Sequence, residues 1–293
     1  MPSPTRRRFS CPCKLVLSSV VLVLSSTLLL ADDHIGFDYK TPGKWPKHFP
    51  ACGGARQSPI NIDLQQVQSP AVGRPQLRSS GHEARPLKMT IVNNGHSVQL
   101  SGEWKPQDAP AIFGGPLIGV YEFAQLHFHW GKGNDNGSEH TVANHSYPLE
   151  MHMVYWKKAY KTIVEALKHD DGAAVVGYLL SLDKNANVGI ERIRSSFPNI
   201  LYPGQKTEID PFPLSLFDID VLKEGYVSYL GSLTTPPCSE SVTWLLSVRV
   251  KKVTIDEMES FRRLKLNNDD VHNFRPTQPL NSRIINYHLD NQP

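Results

Sequence analysis

Three histidines stand where strand geometry would aim them at one another. In Gln125-Leu126-His127-Phe128-His129-Trp130, the side chains of an extended strand alternate between faces. Gln125, His127 and His129 then share one face, while Leu126, Phe128 and Trp130 share an apolar one. Imidazoles at i and i+2 can converge on one ion, although an ordinary polar strand face shows the same spacing. A second stretch, Leu149-Glu150-Met151-His152-Met153-Val154, sets Glu150 and His152 opposite Leu149, Met151 and Met153. If the two strands pair, His152 completes a trio of ring nitrogens. Three neutral imidazoles with a fourth position open is the catalytic pattern for zinc, with Zn–N about 2.0–2.1 Å. Two histidines and a carboxylate would point to iron instead. Gln125 and Glu150 each lie two residues from a histidine on the same face. They are placed to accept the remaining ring N–H bonds and so fix each tautomer.

The elements that must carry these residues read mostly as strands. Lys88–Val92 and Ser97–Leu100 flank Asn93-Asn94-Gly95-His96, and Asn-Gly between apolar runs signals a hairpin. Tyr121–Trp130, Leu149–Trp156, Val175–Leu182 and Val242–Val253 are rich in β-branched and aromatic residues. Helices are few and short. Thr254-Ile255-Asp256-Glu257 forms a capping box ahead of Met258, Phe261 and Leu264. Ile163, Val164 and Leu167 make a stripe ending before Gly172, and Asn187 can cap a helix bearing Ile190 and Ile193. No linker, repeat or low-complexity tract divides the chain. The expected fold is mainly β (α+β): one domain on a large twisted, mostly antiparallel sheet with a few short peripheral helices.

A formal net charge of +3 on 293 residues gives no footprint for nucleic acid. Basic residues cluster at Arg6, Arg7 and Arg8, ahead of Leu15–Leu30, which holds only Leu, Val, Ser and Thr. This is the order of a secretory signal peptide cleaved near Ala31. An uncleaved anchor is the rival reading, but the run is short of the about 20 residues that span a bilayer. No stable membrane anchor is expected, and the mature domain is taken as residues 32–293. Cys11 and Cys13 would leave with the signal. Cys52 and Cys238 remain, an even pair in a chain bound for an oxidising compartment, so a disulfide is expected. It would close a long loop, worth on the order of 4–5 kcal/mol in the chain-entropy account. Two sequons, at Asn136 and Asn144, agree with a secreted glycoprotein.

His127-x-His129-Trp130-Gly131, Ser138-Glu139-His140-Thr141-Val142, Glu150-x-His152 and Gly231-Ser232-Leu233-Thr234-Thr235-Pro236-Pro237 together resemble an α-class carbonic anhydrase. Gln57-Ser58-Pro59-Ile60-Asn61-Ile62 and Asn273-Phe274-Arg275-Pro276-Thr277-Gln278-Pro279-Leu280 extend the resemblance in collinear order over residues 35–288. It implies Zn2+ on His127, His129 and His152, and reversible hydration of carbon dioxide to bicarbonate by a zinc-bound hydroxide. In that family zinc brings its water's pKa to about 7, the standard example of the effect. Gln125 and Glu150 match the partners of two ligands, and the Asn273 carbonyl matches the partner of His129. Thr234 and Glu139 match the orienting pair. An ionised Glu139 can only accept, so the Thr234 hydroxyl donates to it and its oxygen is left to accept the hydroxide's proton.

The resemblance further implies an apolar carbon dioxide pocket of Val154, Val175, Leu233, Val242 and Trp244, with Thr235 on the polar side. His96 matches the proton shuttle, a role suited to a group titrating near 6.5. Asn94 agrees with a water-organising position, whereas Gln99 replaces the Asn of the best-known members. The aromatic residue beside the proton path is Phe37 or Tyr39, since Ile35-Gly36-Phe37-Asp38-Tyr39 aligns in two registers. Cys52 and Cys238 match the pair bridged in secreted members. Sulfonamide-type anionic inhibitors are implied as ligands. Histidines 34, 48, 82, 140, 145, 169, 272 and 288 are expected to be surface or structural. A cupin-like iron or copper oxidoreductase also carries His-x-His on a sheet, but would need a fourth protein ligand. A non-catalytic relative would have lost ligands that are retained here.

Overall fold

Segments rich in β-branched and aromatic residues build a sheet, and the computed structural model of the protein has one of 13 strands among its described residues. It describes residues 36–69, 76–219 and 225–289; the expected signal segment, with Cys11 and Cys13, lies outside them. In chain order the first strands are β1 (Asn61–Ile62), β2 (Val67–Gln68), β3 (Arg78–Ser80), β4 (Lys88–Asn93) and β5 (Val98–Glu103). Next come β6 (Ala111–Gly114), β7 (Leu117–Trp130), β8 (Thr141–Val142), β9 (Leu149–Lys157) and β10 (Ala173–Leu182). The last are β11 (Lys206–Ile209), β12 (Tyr226–Gly231), β13 (Val242–Ser247), β14 (Lys251–Val253) and β15 (Ile285–His288). Across the sheet the order is β11-β4-β5-β7-β9-β10-β13-β12-β15-β2, and β1 pairs β8 apart from it.

Antiparallel pairs predominate as expected, and β10 runs parallel to β13 and β14, and β15 to β2, within the same sheet. One expectation needs correcting: Val242–Val253 is not one strand. It breaks after Ser247, whose hydroxyl accepts the Arg249 N–H (3.3 Å) in a local turn. The strand β12, which carries Val227 and Tyr229 inward, had not been recognised in the sequence.

The two faces of the central strands serve different ends. Leu126, Phe128 and Trp130 of β7 and Met151, Met153 and Tyr155 of β9 enter the larger core. Short helices flank the sheet. α1 (Ile163–Ala166) is capped by Thr162, and α2 (Val188–Arg194) by the Asn187 side chain, which accepts from Ile190 N–H at 3.1 Å. α3 (Ile255–Arg263) has the expected Thr254/Glu257 capping box, and its Phe261 meets Phe128 and Trp130 at ring-centroid distances of 4.9 and 5.4 Å. Each such fully buried side chain contributes about 1.5–3 kcal/mol relative to exposure. The opposite face carries Val154, Val175, Leu179, Val242, Trp244 and Leu246 as a second, smaller cluster. The candidate site lies on this second face.

Candidate active site

The trio depends on one strand pairing, and that pairing is present. β7 and β9 are antiparallel neighbours with His127 directly opposite His152, and His129 opposite Glu150. His127 Nε2 lies 3.0 Å from His129 Nε2 and 3.3 Å from His152 Nδ1. The outward nitrogens are all engaged. His127 Nδ1 faces Gln125 Oε1 at 2.8 Å, His129 Nδ1 faces the Asn273 carbonyl at 2.7 Å, and His152 Nε2 faces Glu150 Oε1 at 2.6 Å. Each acceptor fixes its ring's N–H outward, so three lone pairs are turned toward one point. Lone pairs held that close repel unless a cation lies between them. Tetrahedral ligands at about 2.05 Å from zinc would stand about 3.3 Å apart. The donor set and its spacing therefore fit this ion.

Burial supports the neutral form that binds metal. It pushes the His127 and His152 rings below the ordinary imidazole range and, reinforced by His152, takes His129 to about 3. For Glu150 burial alone would raise the pKa, but His140 and His152 outweigh it and hold the carboxyl far below the usual range. Glu150 Oε2 also accepts the backbone N–H groups of Glu139 and His140, both at 2.8 Å.

Glu139 is wholly buried beside the trio. Its Oε1 accepts Arg275 N–H at 2.9 Å, and its Oε2 lies 3.4 Å from His129 Nε2. Burial and the Glu150 charge raise its pKa, opposed by the Thr234 hydroxyl and the Arg275 N–H. Its Oε2 has no hydrogen-bond partner. A cation on the three imidazoles would favour the ionised carboxyl.

The apolar residues expected around the site are neighbours. Val175 pairs with Val154 on one side and Trp244 on the other. Val242 belongs to the same cluster, and Leu233 packs against it. Thr235 is half-buried two positions beyond Leu233, next to Thr234. The loop holding all three ends at Cys238, which is bonded to Cys52.

His96 lies on the turn between β4 and β5. Gly95 takes φ +87°, where a Cβ would also strike the Asn267 side chain. Asn94 Oδ1 accepts the N–H groups of His96 (2.9 Å) and Ser97 (2.8 Å). Asn273 ties the turn to the trio: its Nδ2 donates to the His96 carbonyl at 2.8 Å, and its own carbonyl takes the His129 ring. Gln99 stands opposite His127 across β5 and β7. Both candidate aromatic residues reach the His96 ring: Phe37 stacks on it at 4.0 Å and 12°, and the buried Tyr39 meets it edge-on at 6.2 Å. Burial lowers the His96 pKa to about 4, and its Nδ1 is without a partner.

Of the sequons, Asn144 is exposed on a tight turn at φ +63°, and Asn136 is half-buried against Gly131. His140, expected to be surface or structural, is structural. It is fully buried, with its Nδ1 2.7 Å from Glu150 Oε1. Its place one residue from Glu139 was the only available hint.

Three imidazoles converging on one face of a mixed sheet define a candidate metal site borne on strands. The sequence profile of the eukaryotic-type carbonic anhydrases matches residues 40–289, and the chain belongs to that family. It is 40% identical over 253 residues to carbonic anhydrase 7 of Mus musculus, covering 83% of this chain and 92% of that protein. To carbonic anhydrase 7 of Homo sapiens it is 39% identical over 264 residues, covering 86% and 97%. The family is zinc-dependent and hydrates carbon dioxide.

Proposed function

We propose that this chain hydrates carbon dioxide reversibly to bicarbonate, with zinc on His127, His129 and His152. The convergence of three ring nitrogens whose partner nitrogens are all bonded outward carries this reading. Zinc, when bound there, supplies an acidified water and thus a hydroxide nucleophile at neutral pH. Thr234 donates to Glu139, which leaves its oxygen as an acceptor that orients the attacking group. Val154, Val175, Leu233, Val242 and Trp244 offer carbon dioxide a wall without competing hydrogen bonds, and Thr235 faces the polar side. Deprotonated sulfonamides suit the same open position as anionic ligands.

His96 carries the departing proton. Stacked on Phe37 it is a poor acceptor near neutral pH, so it works after turning off that ring, where water restores its basicity. The protein is exported: the Arg6–Leu30 segment has the order of a signal, and the Cys52–Cys238 bond suits an oxidising compartment. Asn144 is the better-presented of the two sequons for a glycan. Stopped-flow hydration of carbon dioxide tests the reaction. The zinc-loaded protein is expected to exceed the buffer rate and His127→Ala to match it; equal rates for the two would refute the proposal.

A further inference from the structure

The loop of residues 267–272 reaches both partners of the Phe37–His96 stack. Asn267 donates its N–H to the Gly95 carbonyl at 2.8 Å, next to His96. Asn268 donates from Nδ2 to the Phe37 carbonyl at 3.0 Å. Asp270 Oδ2 accepts the Tyr39 N–H at 3.1 Å, and His272 Nε2 donates to the Tyr39 carbonyl at 3.2 Å. Lys40 Nζ donates to the Asn268 carbonyl. Asn268 and Asp269 take φ +58° and +54°, a left-handed turn that Asn and Asp accept more readily than most side chains. Asp270 is buried, its Oδ1 has no hydrogen-bond partner, and burial raises its pKa. A carboxyl group in such a place is costly, and the one side-chain hydrogen bond it shows among the described residues goes to Tyr39.

We propose that this loop clamps the Phe37–His96 stack, with Asn268 and Asp270 as its positioning residues, a role that rests on the reading of His96 as the proton carrier. Stacking of two rings is a modest attraction. Phe37 is only half-buried, and the His96 Nδ1 has no partner that would hold the ring. The loop supplies what the stack lacks. Asn267 fixes the turn that carries His96. Asn268 and Asp270 fix the backbone on either side of Asp38, and with it Phe37 and Tyr39. Held in this way, the imidazole stays against Phe37 and away from the water that would restore its basicity. The clamp therefore opposes the outward turn that proton release requires, and loosening it raises the share of His96 that is turned out.

Asp270→Ala removes the acceptor of the Tyr39 N–H without touching the trio or His96. In the zinc-loaded protein, kcat for carbon dioxide hydration in weak buffer is expected to rise several-fold, with the gain confined to kcat and absent from kcat/KM. The His96 midpoint, followed by NMR titration, should move from about 4 toward the ordinary 6.5. Asn268→Gly keeps the left-handed turn, which glycine adopts freely, and removes only the side-chain bond to Phe37. The same two changes are expected of it in smaller measure. A loop with a merely structural role would lower the Tm of both variants and leave weak-buffer kcat and the His96 midpoint as in the parent; that result overturns the clamp. A fall in weak-buffer kcat overturns it as well, because the loop would then assist the transfer instead of opposing it. A His96→Ala protein as fast as the parent in weak buffer refutes the shuttle reading itself. That outcome is distinct from a parent that needs His96 while neither loop variant changes its behaviour.

Discussion

His127, His129 and His152 sit on paired strands, and each has its outward nitrogen tied to an acceptor 2.6–2.8 Å away. His96 sits on a turn, held at its backbone by Asn94 and Asn273, while its ring meets the face of Phe37 and the edge of Tyr39. Burial lowers the pKa of all four. The effect differs because the anchoring differs. A ring fixed by strand and hydrogen bond keeps its lone pair in one direction, which metal binding requires. A ring held by stacking alone can leave its site, which proton transfer to solvent requires. The fold thus fixes the trio by strand and hydrogen bond, and leaves the His96 Nδ1 without a hydrogen-bond partner.

Several substitutions would sharpen or break this contrast. Thr234→Ala disturbs orientation without touching the trio, so kcat/KM should fall on the order of 100-fold while zinc is retained; zinc loss would show that the loop and the metal site are not separable in this way. His96→Ala should slow turnover chiefly in weak buffer, approaching the about 100-fold lower limit usual for a lost proton-transfer group. Added imidazole should restore the rate, and equal loss at every buffer strength would contradict the shuttle. Phe37→Ala should move the His96 pKa up from about 4 toward the ordinary 6.5, followed by NMR titration. An unmoved midpoint would mean that the stacked ring is not what buries the imidazole.

The smallest expected effect is on stability. His82, on the larger-core side of the sheet, is held near 4 by burial and bonds Tyr155 Oη at 2.8 Å. Its folded pKa lies below its unfolded value, so between pH 6.5 and 4 the unfolded chain binds more protons. Stability must fall as pH drops through that window. His82→Gln should flatten this dependence in denaturant titrations at several pH values.

Much of the trio was legible because strand alternation is a local property. Gln125, His127 and His129 fall on one face whatever the partner strand, and Leu126, Phe128 and Trp130 mark the other. The capping residues Thr254 and Asn187 are equally local. What could not be read was pairing: nothing in Leu149–Val154 says that it lies beside β7 in the register that sets His152 against His127. Glu139 and Thr234 gave no signal of their own and entered only through resemblance. The contact of His140 with Glu150 joins a loop to β9, so no spacing could reveal it. The break between β13 and β14 was hidden because Val248 and Val250 favour strands as strongly as their neighbours do.

The central claim is that the rigid trio holds a catalytic zinc, and one experiment bears on it most directly. Zinc content and carbon dioxide hydration are measured on the same preparation before chelation, after it, and after zinc is returned. One zinc per chain, activity lost with the metal and recovered with it, and neither seen in His129→Ala, is the expected result. A protein that hydrates carbon dioxide equally well without zinc, or that binds zinc as tightly after His129→Ala, would contradict it.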